Sequence, residues 1–250
     1  MNTLGLETTA LGFVAGFTGK AIEDGLAAQG IHTDFIHLPE GNSRINVKVK
    51  HGDETEINGQ GPVITEEAIN ELFAKLATLT KEDILVLAGS IPNTLPEDIY
   101  EKILARLESK GIRVVVDATK DLLLNVLKYH PFLIKPNNHE LGEMFGIVCK
   151  TDEDIVHYAK KLQEKGAVNV LISMAGDGAI LITEDGQNIK MGTPKGKVVN
   201  SVGAGDSMVA GFITGYIRGG NYEEALKSGT AAGSATAVSY THLTLPTTPY

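Results

Sequence analysis

The feature that most constrains the fold of this 250-residue chain is a repeated alternation of short apolar runs with helical patterns. The apolar runs are Thr9–Val14, Ile84–Ala88, Arg113–Val116, Phe132–Ile134 and Val168–Ser173. The helical patterns between them are Ala21–Gln29, Glu66–Leu79, Pro96–Ser109, Leu122–Tyr129 and Asp152–Lys165. Runs with little polar alternation are typical of strands buried on both faces. The alternation therefore predicts an α/β fold in which helices cover both sides of a mostly parallel sheet.

One segment, Arg44–Lys50, departs from this pattern because it alternates strictly between apolar and polar residues. Its two faces are Ile45, Val47 and Val49 against Arg44, Asn46, Lys48 and Lys50. A turn at Gly52-Asp53 and a return strand at Thr55–Asn58 predict a β-hairpin inserted into the α/β chain. Its cationic face is compatible with a lid over an anionic ligand and equally with an edge hairpin whose charges are solvated.

The composition excludes several classes of function. A net charge of −9 without a basic run argues against nucleic-acid binding, because phosphate contacts need clustered Lys and Arg. No apolar run approaches the ~18 residues that span a bilayer, and the first nine residues lack a signal-peptide pattern. Cys149 is the only cysteine, and the seven histidines show no metal-ligand spacing. We therefore expect a cytoplasmic protein without nucleic-acid or membrane partners.

The most informative local sequence is Asn200–Phe212, where small residues lead into an apolar helical pattern. Gly203, Ala204 and Gly205 free the backbone at the start of this helix, where unpaired N–H groups and the dipole attract anions. Asp206 follows, and a carboxylate there can take a proton from a hydroxyl as negative charge develops nearby. The stretch therefore suits phosphoryl transfer to an alcohol, although the four residues alone also fit a plain loop with an N-cap.

A second candidate segment begins at Lys135, just after the predicted strand Phe132–Ile134. Ligands of open α/β sheets bind at the carboxyl ends of strands, so this is a favourable place for a binding residue. Asn137 and Glu140 have the spacing of a helix capping box. They are predicted to begin the next helix, a role that is compatible with a further role in binding.

Two loops close other predicted strands. Ser173 is followed by a turn that contains Gly176 and Gly178, and Ser90 lies in the loop after the strand Ile84–Ala88. Both loops are compatible with plain turns, and both lie where a parallel sheet presents its ligand-binding edge.

The stretch Asn200–Phe212 closely resembles the second signature of the ribokinase-like (PfkB) family of sugar kinases, and the resemblance extends from about Leu4 to Val238. It implies an α/β/α sandwich, a kinase domain over 1–238 with a small β lid at about 36–60, and the cofactors ATP and Mg²⁺. The resemblance assigns the catalytic base to Asp206. The amides of Gly203, Ala204 and Gly205 would stabilise the transferred phosphoryl group.

The same resemblance implies ligand roles for the other candidate residues. ATP is expected at Ser173, Gly176, Gly178, Lys135, Asn137 and Gly205. The family's Asn-x-x-Glu pattern places Asn137 and Glu140 near magnesium, through water. Arg44, Asn46 and Ser90 match positions that bind the sugar phosphate, which a guanidinium fork suits well. This match favours the lid interpretation of the hairpin, and a homodimer through the lid is a further expectation.

The substrate implied by the resemblance is a sugar phosphate. Residues 42–59 are most similar to the branch of the family that converts D-fructose 1-phosphate to fructose 1,6-bisphosphate, and tagatose 6-phosphate or fructose 6-phosphate remain alternatives. The family's first strand–helix unit does not precede Leu4, and 239–250 resemble a non-native tail. The chain as written is therefore expected to be incomplete at both ends and inactive, and a fragment that only binds ligand is the alternative of another class.

Overall fold

The computed structural model describes residues 1–51, 53–89 and 91–238, and it divides them into two compact units. The smaller unit contains Asn2–Asp83 with 91–112. The larger unit contains Met1, Ile84–Gly89 and 113–238.

The smaller unit combines short strands with helices. Its strands are β1 (Thr9–Ala10), β2 (Phe13–Ala15), β3 (His32–Thr33), β4 (Ile36–Leu38), β5 (Asn46–His51) and β6 (Asp53–Asn58). Its helices are α1 (Gly16–Ala28), α2 (Glu66–Leu76) and α3 (Ile99–Leu107), with 3-10 turns at Asn2–Leu4 and Glu108–Lys110. β1 pairs with β3 and β2 with β4, both in parallel, whereas β5 and β6 form the predicted antiparallel hairpin.

A six-stranded sheet forms the centre of the larger unit. Its strands follow one another in chain order: β7 (Ile84–Ala88), β8 (Arg113–Asp117), β9 (Leu133–Ile134), β10 (Asn169–Ser173), β11 (Ala179–Ile182) and β12 (Asn188–Met191). β7 to β10 run parallel, and β11 and β12 continue the sheet in antiparallel pairing. The mostly parallel sheet predicted from the apolar runs is confirmed.

Helices accompany this sheet and cover it. They are α4 (Lys120–Val126), α5 (Asn138–Phe145), α6 (Asp152–Glu164), α7 (Ala204–Gly219) and α8 (Tyr222–Val238), with 3-10 turns at Leu127–Tyr129 and Ala175–Asp177. Every residue of β11 and of β9 is buried. Successive residues of a strand point to opposite faces, so both faces of the sheet are covered. Burial of each Leu, Ile or Val stabilises the fold by about 1.5–3 kcal/mol.

Several predicted bounds differ from the structure. The helix predicted from Pro96 begins at Ile99, and the helix predicted to end at Leu79 ends at Leu76. Two differences are larger. The run Thr9–Val14 was predicted as one strand, but it forms β1 and β2 with a break at Leu11-Gly12. The helix predicted to begin at Ala21 begins at Gly16 instead. A tertiary contact explains the earlier start, because the Asn42 side chain accepts a hydrogen bond from the Phe17 amide at 3.2 Å and so caps the first turn from outside.

None of the helices in the described ranges is both long enough and apolar enough to cross a lipid bilayer.

Candidate active site

Polar residues of the larger unit gather where three parallel strands end. β8 ends at Asp117, β9 is followed by Lys135, and β10 ends at Ser173. Backbone hydrogen bonds hold these ends together, because the Lys135 N–H donates to Val116 O at 3.3 Å and the Ser173 N–H donates to Pro136 O at 3.2 Å. The segments after β9 and β10, which the sequence singled out, are therefore neighbours of each other and of the end of β8 along one edge of the sheet.

Asn137 and Glu140 form the capping box that their spacing predicts. The Glu140 N–H donates to Asn137 Oδ1 at 2.8 Å, and the Asn137 N–H donates to Glu140 Oε2 at 2.7 Å. These bonds fix the orientation of the Glu140 carboxylate and leave its other oxygen out of the box. Glu140 can thus take part in the capping of α5 and still offer its other carboxylate oxygen to a ligand.

The first turn of α7 has the geometry of an anion-binding site. Gly203 precedes the helix with φ 77°, a conformation that favours glycine, and it turns the chain sharply into the helix. The Ala204 N–H is taken by Ser201 O at 3.1 Å. The next amides, those of Gly205 and Asp206, belong to the first turn and have no partner inside the helix. The exposed carboxylate of Asp206 lies in the same turn.

Lys135 joins this helix start to the end of β8. Its Nζ lies 3.2 Å from Asp117 Oδ1, and the two side chains are only 7% and 20% exposed. On the other side, a Cβ added to Gly205 would stand 3.1 Å from Lys135 Nζ. The ammonium is therefore buried between the Asp117 carboxylate and the first turn of α7.

Asp117 is a residue that the sequence reasoning missed. Burial raises the pKa of its carboxyl, Lys135 opposes this rise, and the negative charges of Asp206 and Glu140 add to it. The carboxylates of Asp206 and Glu140 therefore lie near enough to Asp117 to influence it. The signal was available in the sequence, since Asp117 ends an apolar run in the same way that Lys135 follows one.

The turn after β10 contains the other glycines predicted to lie near ATP. Gly176 lies in the 3-10 turn Ala175–Asp177, and Gly178 leads directly into β11. Ala175 occupies the place where the resembled family commonly has glycine, and its φ of 48° is one that glycine adopts without strain. The loop conformation therefore explains the preference for glycine.

Arg44 and Asn46 lie in the smaller unit. Asn46 is the first residue of β5, and Arg44 precedes that strand with an exposed side chain. The residue before it, Ser43, is buried, and its N–H donates to Ala15 O at 2.9 Å while its Oγ accepts from the Ala15 N–H at 3.0 Å. This double hydrogen bond fixes the backbone that leads to Arg44. Ser90 lies outside the described residues.

The carboxylates at this edge of the sheet suit a divalent cation that also binds the phosphates of a substrate. In the described ranges, no group of three or more His, Cys, Asp or Glu side chains could hold a metal ion. Mg²⁺ at phosphate-binding sites usually takes one or two carboxylates and completes its shell with phosphates and waters. The Glu140 oxygen that lies outside the capping box fits this requirement, through water.

Comparison with known proteins identifies the family. Residues 1–247 match the profile of the pfkB family carbohydrate kinases. The chain belongs to this family. It is 51% identical to the 1-phosphofructokinase of Bacillus subtilis over 92% of this chain and 75% of that relative. It is 39% identical to the D-tagatose-1-phosphate kinase of Bacillus licheniformis over 96% of this chain and 78% of the relative.

A solved structure agrees with this assignment. A crystal structure of a candidate phosphofructokinase from Staphylococcus aureus superposes with a TM-score of 0.86 at 45% identity, covering 95% of this chain and 77% of that one. The ribokinase-like fold expected from the sequence is thereby confirmed for this pfkB family member.

Proposed function

We propose that this chain transfers the γ-phosphoryl group of ATP to the 6-hydroxyl of D-fructose 1-phosphate, giving ADP and fructose 1,6-bisphosphate. The observation that carries the proposal is the first turn of α7, where amides without a partner inside the helix, the buried Lys135 ammonium and the Asp206 carboxylate lie together. Phosphoryl transfer needs this combination, since its catalysis consists mainly of positioning and of charge stabilisation.

Each group has a defined part in the proposed reaction. Asp206 takes the proton of the acceptor hydroxyl while that oxygen bonds to the γ-phosphorus. The bond from phosphorus to the ADP oxygen breaks, and ADP keeps the electron pair. The amides of Gly205 and Asp206 stabilise the charge on the transferred group. The resemblance assigns the amides of Gly203 and Ala204 to the same task, but in the structure the Ala204 N–H donates to Ser201 O at 3.1 Å.

The ATP phosphates would lie against Lys135, Asn137 and the turn that carries Ser173, Gly176 and Gly178. Bound Mg²⁺ would supply neutralisation of the triphosphate charge, with Asn137 and Glu140 contacting it through water. In this arrangement the capping box holds the Glu140 carboxylate ready for its ligand.

Recognition of the sugar phosphate is assigned to Arg44, Asn46 and Ser90. A guanidinium binds phosphate oxygens in a bidentate manner, and the anchored backbone at Ser43 supports this role for Arg44. The β5–β6 hairpin would act as a lid that excludes water and thereby protects ATP from hydrolysis.

A second candidate substrate is D-tagatose 1-phosphate, which a 39% identical relative is named for. Tagatose and fructose differ only in the configuration of one ring-carbon hydroxyl, so the same phosphate-binding and transfer groups serve both. Tagatose 6-phosphate and fructose 6-phosphate, which carry their phosphate at the other end, remain alternatives.

The test is a coupled assay of ADP release with these four sugar phosphates. It is run on the 250-residue chain and on a version extended at both ends with the flanking segments of the Bacillus subtilis relative. We expect the extended version to have its highest kcat/KM with fructose 1-phosphate and the 250-residue chain to be inactive. A preference for another sugar phosphate would refute the substrate assignment, and ordinary turnover by the shorter chain would refute the expected inactivity.

A further inference from the structure

The proposed reaction leaves one buried acid of the site unused. Asp117 ends β8 with its side chain 20% exposed, and the carboxylates of Glu140 and Asp206 lie close enough to raise its pKa. A third negative charge beside a site for phosphate groups is unfavourable by itself, because like charges repel strongly where water is largely excluded. Its presence therefore calls for a compensating role.

The position of Lys135 indicates what the role of Asp117 is. Its side chain leaves the end of β9, has Nζ 3.2 Å from Asp117 Oδ1, and meets the first turn of α7 at Gly205. A lysine side chain carries a strongly hydrated ammonium on a flexible four-carbon stem. Burial of this ammonium is unfavourable unless a partner binds it there. Asp117 is that partner, and the absence of a side chain at Gly205 leaves room for the ammonium.

We propose that Asp117 is a positioning residue that holds the Lys135 ammonium beside the first turn of α7, where it binds a phosphate group of ATP. The proposal rests on the proposed function, because it takes the start of α7 as the phosphate site. Asp117 itself does not touch the substrate in this account, and its effect on ATP passes entirely through Lys135.

The competing explanation is that Asp117 serves a divalent cation directly. The two explanations differ in how the contribution of Asp117 to ATP affinity depends on Lys135 and on Mg²⁺. If Asp117 acts through Lys135, its contribution to ATP affinity disappears once Lys135 is replaced, and it is present with or without Mg²⁺. If Asp117 binds the cation, its contribution survives replacement of Lys135 and appears only with Mg²⁺.

The experiment is a double-mutant cycle on ATP affinity, measured by titration calorimetry on the 250-residue chain with Mg²⁺ and with EDTA. The variants are Asp117→Asn, Lys135→Met and the double variant. We expect each single variant to weaken ATP binding about tenfold or more, as expected for one charge-assisted hydrogen bond. The double variant should be no weaker than Lys135→Met. Asp152→Asn is the control, because it removes an acid from an exposed pair with Lys190 and should leave the affinity unchanged.

Thermal unfolding accompanies each titration. Asp117→Asn leaves a buried ammonium without its partner and should be the least stable variant, whereas the double variant removes both charges and should recover stability. If Asp117→Asn does not fold, Asp117→Glu takes its place in the cycle. Glutamate keeps the negative charge but displaces the carboxylate from Lys135, so this variant should also weaken ATP binding.

Three results would overturn the proposal. They are unchanged affinity in the folded Asp117 variant, a further loss when Asp117→Asn is added to Lys135→Met, and a loss confined to the titrations with Mg²⁺. If the unsubstituted 250-residue chain binds no ATP, the titrations are repeated on the extended version, and absence of ATP binding there refutes the proposed function together with this inference. If it binds ATP and only the cycle fails, the proposed function stands.

Discussion

At the scale of single residues, a substitution of Asp206 tests the proposed chemistry most directly. It lies in the first turn of α7 with its carboxylate exposed, so a substitution there changes little packing. Asparagine has nearly the same size and also suits a helix start, but its amide cannot take a proton.

We therefore expect Asp206→Asn to lower kcat by about 10²–10⁴, the usual contribution of a general base. ATP affinity should remain within a few-fold of the unsubstituted protein, because the amides and Lys135 are unchanged. Steady-state assays of the extended version, with calorimetry for ATP, check both expectations. Retention of most of the kcat would show that another group takes the proton.

At the scale of elements, the position of the anion site depends on how α7 packs against α8. The two helices approach so closely that a Cβ at Gly211 would lie 2.4 Å from Ser228 O and 2.7 Å from Ala232 Cβ. Such distances leave no room for a methyl group unless the helices separate.

Gly211→Ala should lower the free energy of unfolding by about 1–3 kcal/mol, the usual cost of overpacking. Gly25→Ala in α1 is the matched control, since a Cβ there meets nothing within 4 Å. Alanine favours a helix interior over glycine by about 0.5–1 kcal/mol, so the control should be stabilised. Denaturant unfolding of both variants measures the two shifts, and a neutral Gly211→Ala would mean that α7 and α8 pack less tightly than described.

Elements that carry their own local signals were predictable from the sequence. The capping boxes begin α5 at Asn137 and α6 at Thr151. The start of α1 was not predictable because Asn42, distant in sequence, caps it. The place of Asp117 after an apolar run was visible in the sequence, but its partner was not, since Lys135 comes from the next strand and only the sheet brings the two together.

At the scale of the whole molecule, the β5–β6 hairpin presents an apolar surface to solvent. Ile45, Val47 and Ile57 are 60%, 45% and 62% exposed, and Val47 pairs directly with Ile57 across the hairpin. Contiguous exposed apolar surface is uncommon in monomers and often marks a protein–protein contact. We propose that two copies of the chain associate through this face and form a homodimer.

Ile57→Lys should convert such a dimer to a monomer, because two buried ammonium groups would face an apolar contact without partners. Val148→Lys is the control, since Val148 is 74% exposed and belongs to the larger unit. Sedimentation equilibrium of the three proteins measures association. If the same hairpin is also the lid over the sugar phosphate, loss of the dimer in the extended version should raise KM for fructose 1-phosphate more than KM for ATP, because Arg44 lies directly before Ile45. A monomeric unsubstituted chain would contradict the dimer, and equal effects of both lysine substitutions would contradict the assignment to this face.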